Sequence, residues 1–310
     1  MNRYLVVGVD TVAGANVAAS FSERHHVCCW TSEPGYEVAG CDVLDHRLSP
    51  ADAIAAAEPE ILVYCGAAAR SCWEPDAKSE IHDSTVVAAQ CWASAARAAG
   101  VRFVMVSSDA VFTGPWLFHD EQSHGQCSSY HAQIIRATED LVGEICEDAL
   151  ILRTNVYGWS AAGSGAGWVE TLLRSVETKR IVEQDHIRHA APMLATDFAD
   201  ILERACNEQL TGTYHVAGAE RVNPLQFTQR LADRFELPWL AMRRESILTS
   251  LPQGFGEGEC SLQTKQIRKQ LCVAMPLLSE GLDRLKEQAE NGYRERLQPV
   301  RRTVAKSRAA

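Results

Sequence analysis

Residues 4–14 read YLVVGVDTVAG, and this stretch decides the fold. The apolar run at residues 4–9 predicts a buried strand, and the small residues at 14–21 predict a helix soon after it. A strand that ends in a glycine-containing turn and opens a helix is where dinucleotide-binding folds hold a pyrophosphate. We therefore treat residues 8–14 as a candidate phosphate loop.

The alternation of strands and helices continues through the first half of the chain. The pattern predicts further strands at 26–30, 60–64, 101–106 and 150–153, and helices at 51–57, 81–100 and 130–147. Strands that alternate with helices at this spacing form parallel βαβ units. We predict an α/β fold: a Rossmann-like doubly wound parallel sheet with a smaller C-terminal substrate-binding lobe.

Composition is that of a globular chain. The 310 residues are 46% hydrophobic and 23% charged, which suffices for one large domain, or a domain with a smaller lobe. No apolar run reaches the roughly 18 residues that a membrane span needs. No cleavage pattern follows the first strand, as it would in a signal peptide. We expect a cytoplasmic protein with no membrane partner.

Charge is distributed unevenly along the chain. The net charge is −10, yet residues 294–310 carry six basic residues against one acidic residue. That tail lacks apolar periodicity, so we expect it to be disordered, either solvated or in weak contact with an anionic partner. The acidic remainder argues against a nucleic-acid-binding protein.

Cysteine usage favours reduced, buried thiols. The eleven cysteines are odd in number, most lie in apolar runs, and no CxxC pair occurs, so disulfides and a structural zinc site have little support. Residues His25, His26, Cys28 and Cys29 look like metal ligands. Successive side chains in a strand point to opposite faces, which splits this set, and we expect no metal site.

The candidate phosphate loop departs from the usual glycine pattern. Gly8 and Gly14 match the first and last positions of GxxGxxG, but Thr11 replaces the middle glycine, which normally lets the backbone approach the phosphates. Asp10 adds a negative charge. A like-charged pair 4 Å apart costs about 4 kcal/mol at an effective dielectric constant of 20, so Asp10 either points away or weakens binding.

Two further segments carry possible chemistry. Ser108 and Asp109 follow the fourth predicted strand, and ligands of parallel sheets lie beyond the carboxyl ends of the strands. Tyr130 begins a predicted helix, where a phenol could donate a proton to a carbonyl oxygen. A lysine four residues later would share its helix face and lower the phenol pKa, but position 134 is isoleucine.

Several short motifs occur in a shared order over residues 1–290. They are VSSDAVFTG (106–114), ILRTNVYG (151–158), Ala191-Pro192 followed by TDFA (196–199), GTYHVAG (212–218) and SLQTK (261–265). In this order they resemble the dTDP-4-dehydrorhamnose reductase family of extended short-chain dehydrogenases/reductases. The resemblance implies an NAD(P)-binding Rossmann-like domain at 1–158 and a mixed α/β substrate lobe at 159–293, part of which returns to the main sheet. The basic tail at 294–310 lies outside it.

The resemblance also implies roles for individual residues. Ser108 and Tyr130 take the catalytic positions, Ser108 by holding the substrate and Tyr130 as the acid. The implied cofactor, NAD or NADP, would contact Gly8, Thr11, Gly14, Glu33, Ala67 and Ala68. The implied ligand, a nucleotide-linked sugar, would contact Asp109, Val111, Phe112, Arg153 and Thr154.

The departures from the family affect both the cofactor and the chemistry. Thr11 stands for a glycine, Ile134 for the catalytic lysine, and Cys65-Gly66-Ala67-Ala68 for Asn-Ala-Ala-Ala. Glu33 could accept ribose hydroxyls, as in NAD-binding folds, yet the sequence does not decide between NAD and NADP. The cofactor could also bind weakly or not at all.

Two functions therefore stay open. The first is NAD(P)-dependent reduction of a 4-keto nucleotide sugar, with impaired catalysis because the lysine is Ile134. The second is a non-catalytic nucleotide- or sugar-nucleotide-binding regulatory subunit with a protein partner, since the same family includes the beta subunit of methionine adenosyltransferase. In a changed reaction, His131 or His124 would do the acid–base work.

Overall fold

A computed structural model describes residues 1–161, 167–178, 182–238, 242–244 and 255–297. The strands are β1 (Arg3–Val7), β2 (His26–Trp30), β3 (Asp42–Val43), β4 (Ile61–Tyr64), β5 (Arg102–Ser108), β6 (Leu150–Thr154), β7 (Val156–Tyr157), β8 (Val182–Gln184), β9 (Met193–Leu194), β10 (Gly212–His215) and β11 (Met242–Arg244). The α-helices are α1 (Val12–Phe21), α2 (Pro50–Ala57), α3 (Asp83–Ala99), α4 (Tyr130–Ile145), α5 (Trp168–Glu177), α6 (Ala195–Asn207), α7 (Pro224–Arg234), α8 (Lys265–Leu271), α9 (Leu278–Glu290) and α10 (Tyr293–Arg296).

Seven parallel strands form the main sheet in the order β10-β6-β5-β4-β1-β2-β3. The order reverses at β1, where β2 lies on one side and β4 on the other, as in a doubly wound nucleotide-binding sheet. The predicted Rossmann-like α/β fold is confirmed.

The central strands are apolar because helices cover both faces of the sheet. Every residue of β4 is buried, and so is every residue of β5 after Arg102. Continuous apolar strands of this kind are typical of buried parallel sheets. The cover leaves the carboxyl ends of the strands as the edge from which loops can reach a ligand.

The second half of the chain contributes to both parts of the molecule. β10 returns to the main sheet beside β6, and α6 packs on α1. α5 and α7 pack together beyond the sheet edge. The division of the chain at residue 158 stays a prediction. Within the described ranges, no helix is both long and apolar enough to cross a bilayer.

The start of the predicted tail differs from the expectation of disorder. Arg294 and Arg296 belong to α10; the Arg294 guanidinium lies 4.3 Å from the ring centroid of Trp159, and the Arg296 carbonyl accepts from the Ala39 amide. These aromatic and backbone contacts hold residues 294–297 against the folded chain. The number of basic residues in the tail carries no information about such contacts. The tail residues 298–310 lie outside the described part.

A buried ion pair fixes α4 against the sheet. Glu139, 4% exposed, accepts from Arg153 Nη2 at 2.6 Å and Nε at 2.9 Å, and from Ser107 Oγ at 2.6 Å. Ser107 and Arg153 are register partners on β5 and β6, so both strands hold the same carboxylate. This pairing determines which face of α4 meets the sheet.

Removal of the Arg153 guanidinium should leave the buried Glu139 carboxylate without a counter-charge. We predict that Arg153→Met lowers the free energy of unfolding by about 3–5 kcal/mol, because Glu139 then lacks its partner. Urea denaturation measures the change. Arg230→Met is the matched control, since its pair with Glu220 is exposed and should contribute at most about 1 kcal/mol. Equal losses in the two variants would contradict the account.

Candidate functional site

The phosphate loop folds as the glycine pattern predicts, with the threonine built into its turn. Gly8 has φ of +87°, and a Cβ there would lie 2.0 Å from the Cys65 carbonyl oxygen, so glycine is required. Thr11 caps α1: its hydroxyl accepts from the Gly14 amide at 3.0 Å and donates to the Gly8 carbonyl at 2.8 Å. The Thr11 hydroxyl therefore occupies a helix amide that a phosphate could otherwise use.

Asp10 is held by neighbouring side chains. Its carboxylate lies 3.0 Å from Arg70 Nη2 and accepts from Thr31 Oγ1 at 2.7 Å. Arg70 also lies 3.6 Å from Glu74. The guanidinium of Arg70 thus offsets the charge that the sequence placed in the phosphate loop, and it is the cation nearest to that loop among the described ion pairs.

A cavity of about 660 Å³ opens beside this loop, between the sheet edge and the C-terminal lobe. Its walls include Asp10, Glu33 and Arg70 on the sheet side, and Trp168 and Phe227 on the lobe side. A second cavity of about 420 Å³ lies at the ends of β2 and β3, and Glu33 and Tyr36 line both. The two cavities form a groove across the point where the strand order reverses.

Aromatic rings form the lobe wall of the larger cavity. The ring centroids of Trp73 and Phe227 lie 5.7 Å apart and those of Trp168 and Phe227 lie 5.4 Å apart. Phe227 is fully buried and Trp73 is 8% exposed, so the partly exposed Trp168 is the ring of the three that could stack on a base or a sugar ring. This wall has no local signal in the sequence, because its residues come from three distant segments.

The strand-end motif is buried and lies outside the lining of both cavities. Ser108 caps a short turn by accepting from the Ala110 amide, and Ser108, Asp109, Val111 and Phe112 are at most 2% exposed. Asp109 accepts from Asn155 Nδ2 at 3.1 Å and from Cys72 Sγ at 3.5 Å. Burial raises the pKa of Asp109 to about 7.

The helix face that carries Tyr130 points away from the sheet. The Tyr130 side chain is exposed, and its hydroxyl donates to Asp83 at 2.7 Å; this hydrogen bond raises the phenol pKa. Tyr130 precedes the inward Glu139 by nine residues, which is about two and a half helical turns. The described contacts include no bond between Tyr130 and Ser108.

A different pair of α4 residues lies one turn and two turns before Glu139. Ile135 is fully buried, and His131, four residues before it, is partly buried with its ring 5.9 Å from that of Phe255. On the sheet-facing side of α4, the two positions four residues apart that a tyrosine and a lysine would occupy are therefore held by His131 and Ile135. A histidine and an isoleucine cannot do the work of a tyrosine–lysine pair.

The chain itself fills the space over Asp109. Phe255 is 1% exposed, and a Cβ on Gly256 would lie 2.7 Å from the Cβ of Cys72. Cys72 in turn contacts Asp109. Ser108, Asp109 and Cys72 are thus packed among neighbouring side chains and are nearly inaccessible to solvent.

The remaining predicted residues divide between the cleft and the interior. Glu33 lines both cavities. Ala67 and Ala68 form a short 3₁₀ turn after β4 and line neither. Thr154 is the register partner of Ser108 and is buried. Arg153 was expected to border the ligand cleft; the structure turns it instead to Glu139, because strand alternation puts it on the α4 side.

The groove offers a carboxylate and a guanidinium that a dinucleotide could contact. Glu33 stands where a ribose hydroxyl could be accepted, and Arg70 can face the phosphates. Phe255 and Asp109 are each 1% exposed and line neither cavity. The residues present therefore include partners for a ribose and for phosphates, and no described tyrosine–lysine pair faces the strand-end serine.

The chain matches one protein family and is similar in sequence to one kind of known protein. The family model described as "RmlD substrate binding domain" matches residues 2–286. Methionine adenosyltransferase 2 subunit beta of Xenopus tropicalis is 25% identical over 247 residues, 76% of this chain and 73% of that protein. The Rattus norvegicus protein of the same name is 24% identical over 251 residues, with the same shares covered.

Solved structures share the fold at low identity. dTDP-4-dehydrorhamnose reductase from Bacillus anthracis, in complex with NADP, has a TM-score of 0.73 at 18% identity and covers 93% of this chain and 100% of its own. The Bordetella bronchiseptica enzyme WbmH, in complex with NAD+, has a TM-score of 0.73 at 16% identity and covers 94% and 100%. At such identities these structures support the fold alone.

The buried Asp109 should make stability depend on pH. Its pKa is raised from 3.8 to about 7, so the folded state keeps a proton that the unfolded chain loses, and stability falls as pH rises between those values. We predict that Asp109→Asn adds up to about 4 kcal/mol to the free energy of unfolding above pH 7 and almost nothing near pH 4.

Urea denaturation across this pH range measures the effect. The amide retains an acceptor for Asn155, so the local hydrogen bond can persist. Asp148→Asn, at an exposed position, is the control and should change little at any pH. An Asp109→Asn variant that is destabilised equally at all pH values would contradict the buried, protonated carboxyl group.

Proposed function

The chain belongs to the RmlD substrate-binding domain family, and on that premise we propose that it is a non-catalytic, nucleotide-binding member that acts as a binding or regulatory subunit. The observation that carries the proposal is the orientation of α4. The Tyr130 phenol is bonded to Asp83 on the outer side, whereas the sheet-facing spacing of four selects His131 and Ile135.

Hydride transfer to a carbonyl needs a proton donor at the carbonyl oxygen. General acid–base catalysis contributes about 10²–10⁴-fold, and the resemblance assigns it to a tyrosine tuned by a nearby ammonium group. Ile135 has no charge to lower a neighbour's pKa, and Tyr130 has its pKa raised by Asp83. Both features oppose proton transfer at Ser108.

The binding half of the groove keeps its elements. In the proposal Glu33 accepts ribose hydroxyls in the manner of NAD-binding folds, and Arg70 pairs with the phosphates after leaving Asp10. A nicotinamide dinucleotide, when bound, supplies a hydride donor or acceptor. Trp168, supported from behind by the buried ring of Phe227, would stack on a further ring, such as that of a nucleotide-linked sugar.

The curated relatives support a subunit role. Both relatives described above are named as subunit beta of methionine adenosyltransferase 2, so proteins similar to this chain serve within a larger enzyme. We infer by analogy that this chain binds a protein partner and that its ligand modulates that binding. Sequence similarity supports this role, and so does the burial of Ser108 and Asp109 at the end of β5.

Reduction of a 4-keto nucleotide sugar is the second candidate. His131 favours it, because an imidazole one turn before Ile135 could serve as the general acid in place of a phenol. In that case activity would depend on His131 and Ser108 but not on Tyr130.

Binding and turnover experiments separate the two functions. We expect calorimetric titration to show that NADH or NADPH binds. We also expect that, with a panel of dTDP-4-keto sugars, the wild-type protein oxidises the reduced cofactor no faster than the His131→Ala variant does. Turnover that His131→Ala abolishes would establish the reductase instead, and absence of any dinucleotide binding would contradict the proposed binding role.

Asp10 should oppose the binding of a phosphate group. Asp10→Asn removes the carboxylate that holds Arg70, so we predict about tenfold tighter dinucleotide binding, equivalent to about 1.4 kcal/mol. Arg70→Gln should weaken binding by a similar factor. Glu58→Gln, which alters an exposed ion pair with Arg3, is the control. Unchanged dinucleotide affinity in both Asp10→Asn and Arg70→Gln would show that Arg70 does not bind the phosphates.

A further inference from the structure

Three possible metal-binding side chains meet on one side of the sheet edge. His26 and Cys28 are two residues apart on β2, so they share a face, and Asp42 is the register partner of Cys28 on β3. One ligand atom from each, an imidazole nitrogen, a thiol sulfur and a carboxylate oxygen, lies within 4.8 Å of the other two. The sequence alone predicts no metal site here, because Asp42 lies outside the stretch at residues 25–29 in which the other possible ligands occur.

The alternation that splits residues 25–29 is seen in the structure. His25 Nε2 lies 2.7 Å from Glu203, and Cys29, with Val43, lines the smaller cavity of the groove. Cys28 and Asp42, each one residue before these, therefore face the other side. The His26, Cys28 and Asp42 cluster is thus separate from the nucleotide groove, and an inference from it does not depend on the proposed function.

The spacing of the cluster suits a tetrahedral ion. Zinc binds nitrogen and oxygen at about 2.0–2.2 Å and sulfur at about 2.3 Å, so two ligand atoms on one tetrahedral zinc lie about 3.3–3.6 Å apart. His26 Nε2 and Asp42 Oδ2 are 3.1 Å apart, close to such an edge. Modest rotation of the side chains would bring the remaining pairs, now within 4.8 Å, to the same spacing.

The surroundings allow the site to form and to be reached. Cys28 is 4% exposed, whereas the His26 and Asp42 side chains are 49% and 72% exposed. The sulfur is thus anchored in the sheet while the other two ligands can turn, and solvent can supply a fourth ligand. Thiolate, imidazole and carboxylate together are a donor set that favours zinc over magnesium or calcium.

We propose that His26, Cys28 and Asp42 bind one zinc ion, with water in the fourth position. On binding, the Cys28 thiol gives its proton to solvent and the sulfur bonds to the metal. The ion joins β2 to β3, an edge strand of only two residues held by two register pairs. Zinc should therefore stabilise the folded edge of the sheet.

Cobalt(II) titration of the chelator-treated full-length protein tests the site. Four-coordinate Co²⁺ bound through sulfur gives visible d–d bands and a near-ultraviolet sulfur-to-metal charge-transfer band. We expect both bands to saturate at one equivalent and to disappear when Zn²⁺ is added. Absence of a sulfur-to-cobalt band in the wild-type protein would overturn the proposal.

Single variants identify the ligands. Cys28→Ser should abolish the charge-transfer band. His26→Gln and Asp42→Asn, at exposed positions that tolerate substitution, should weaken binding at least about tenfold, since loss of a second-shell partner alone costs about 10–100-fold. Cys272→Ser, at an exposed cysteine elsewhere, is the control. A band that survives in His26→Gln and Asp42→Asn with unchanged affinity, or that disappears in Cys272→Ser, would contradict the assignment.

Discussion

The buried carboxylate of Glu139 determines how this molecule presents its chemistry. Arg153 on β6 and Ser107 on β5 both bond to it, and a buried charge of this kind is stable only with its partners in place. α4 therefore cannot rotate to change the face that meets the sheet. Once Glu139 faces inward, Tyr130 must face outward, where its hydroxyl donates a hydrogen bond to Asp83.

The two ends of the groove differ as a result. At the phosphate loop, the Thr11 hydroxyl caps α1 and the Arg70 guanidinium pairs with the Asp10 carboxylate. At the other end, Phe255 and Asp109 are packed and nearly inaccessible. The fold is shared with a dTDP-4-dehydrorhamnose reductase, and the chain is similar to a subunit beta of methionine adenosyltransferase 2. Among the described residues there is an open cavity beside the phosphate loop but no tyrosine–lysine pair on the sheet-facing side of α4.

The sequence predicted the fold well because its signals are local. The strand, the glycine turn and the small residues of α1 decide the sheet, and the seven parallel strands agree. The site was harder to predict because it depends on helix rotation and on long-range contacts. Tyr130 and Ile134 have the right spacing, yet only the pairing of Glu139 with a distant strand shows that Ile135 is the inward residue. The partnership of Asp10 with Arg70, sixty residues away, has no local signal either.

The hydrogen bond of the Tyr130 phenol is the feature to measure. With ¹³C-labelled tyrosine, and Tyr130→Phe to assign its resonance, NMR titration gives the phenol pKa in the intact protein. We expect Asp83→Asn to lower this pKa toward its ordinary value and to shift the resonance, whereas Ser108→Ala and added NADPH should leave both unchanged. A Tyr130 pKa that responds to Ser108→Ala or to the dinucleotide, and not to Asp83→Asn, would show that the phenol faces the cleft and would contradict the account.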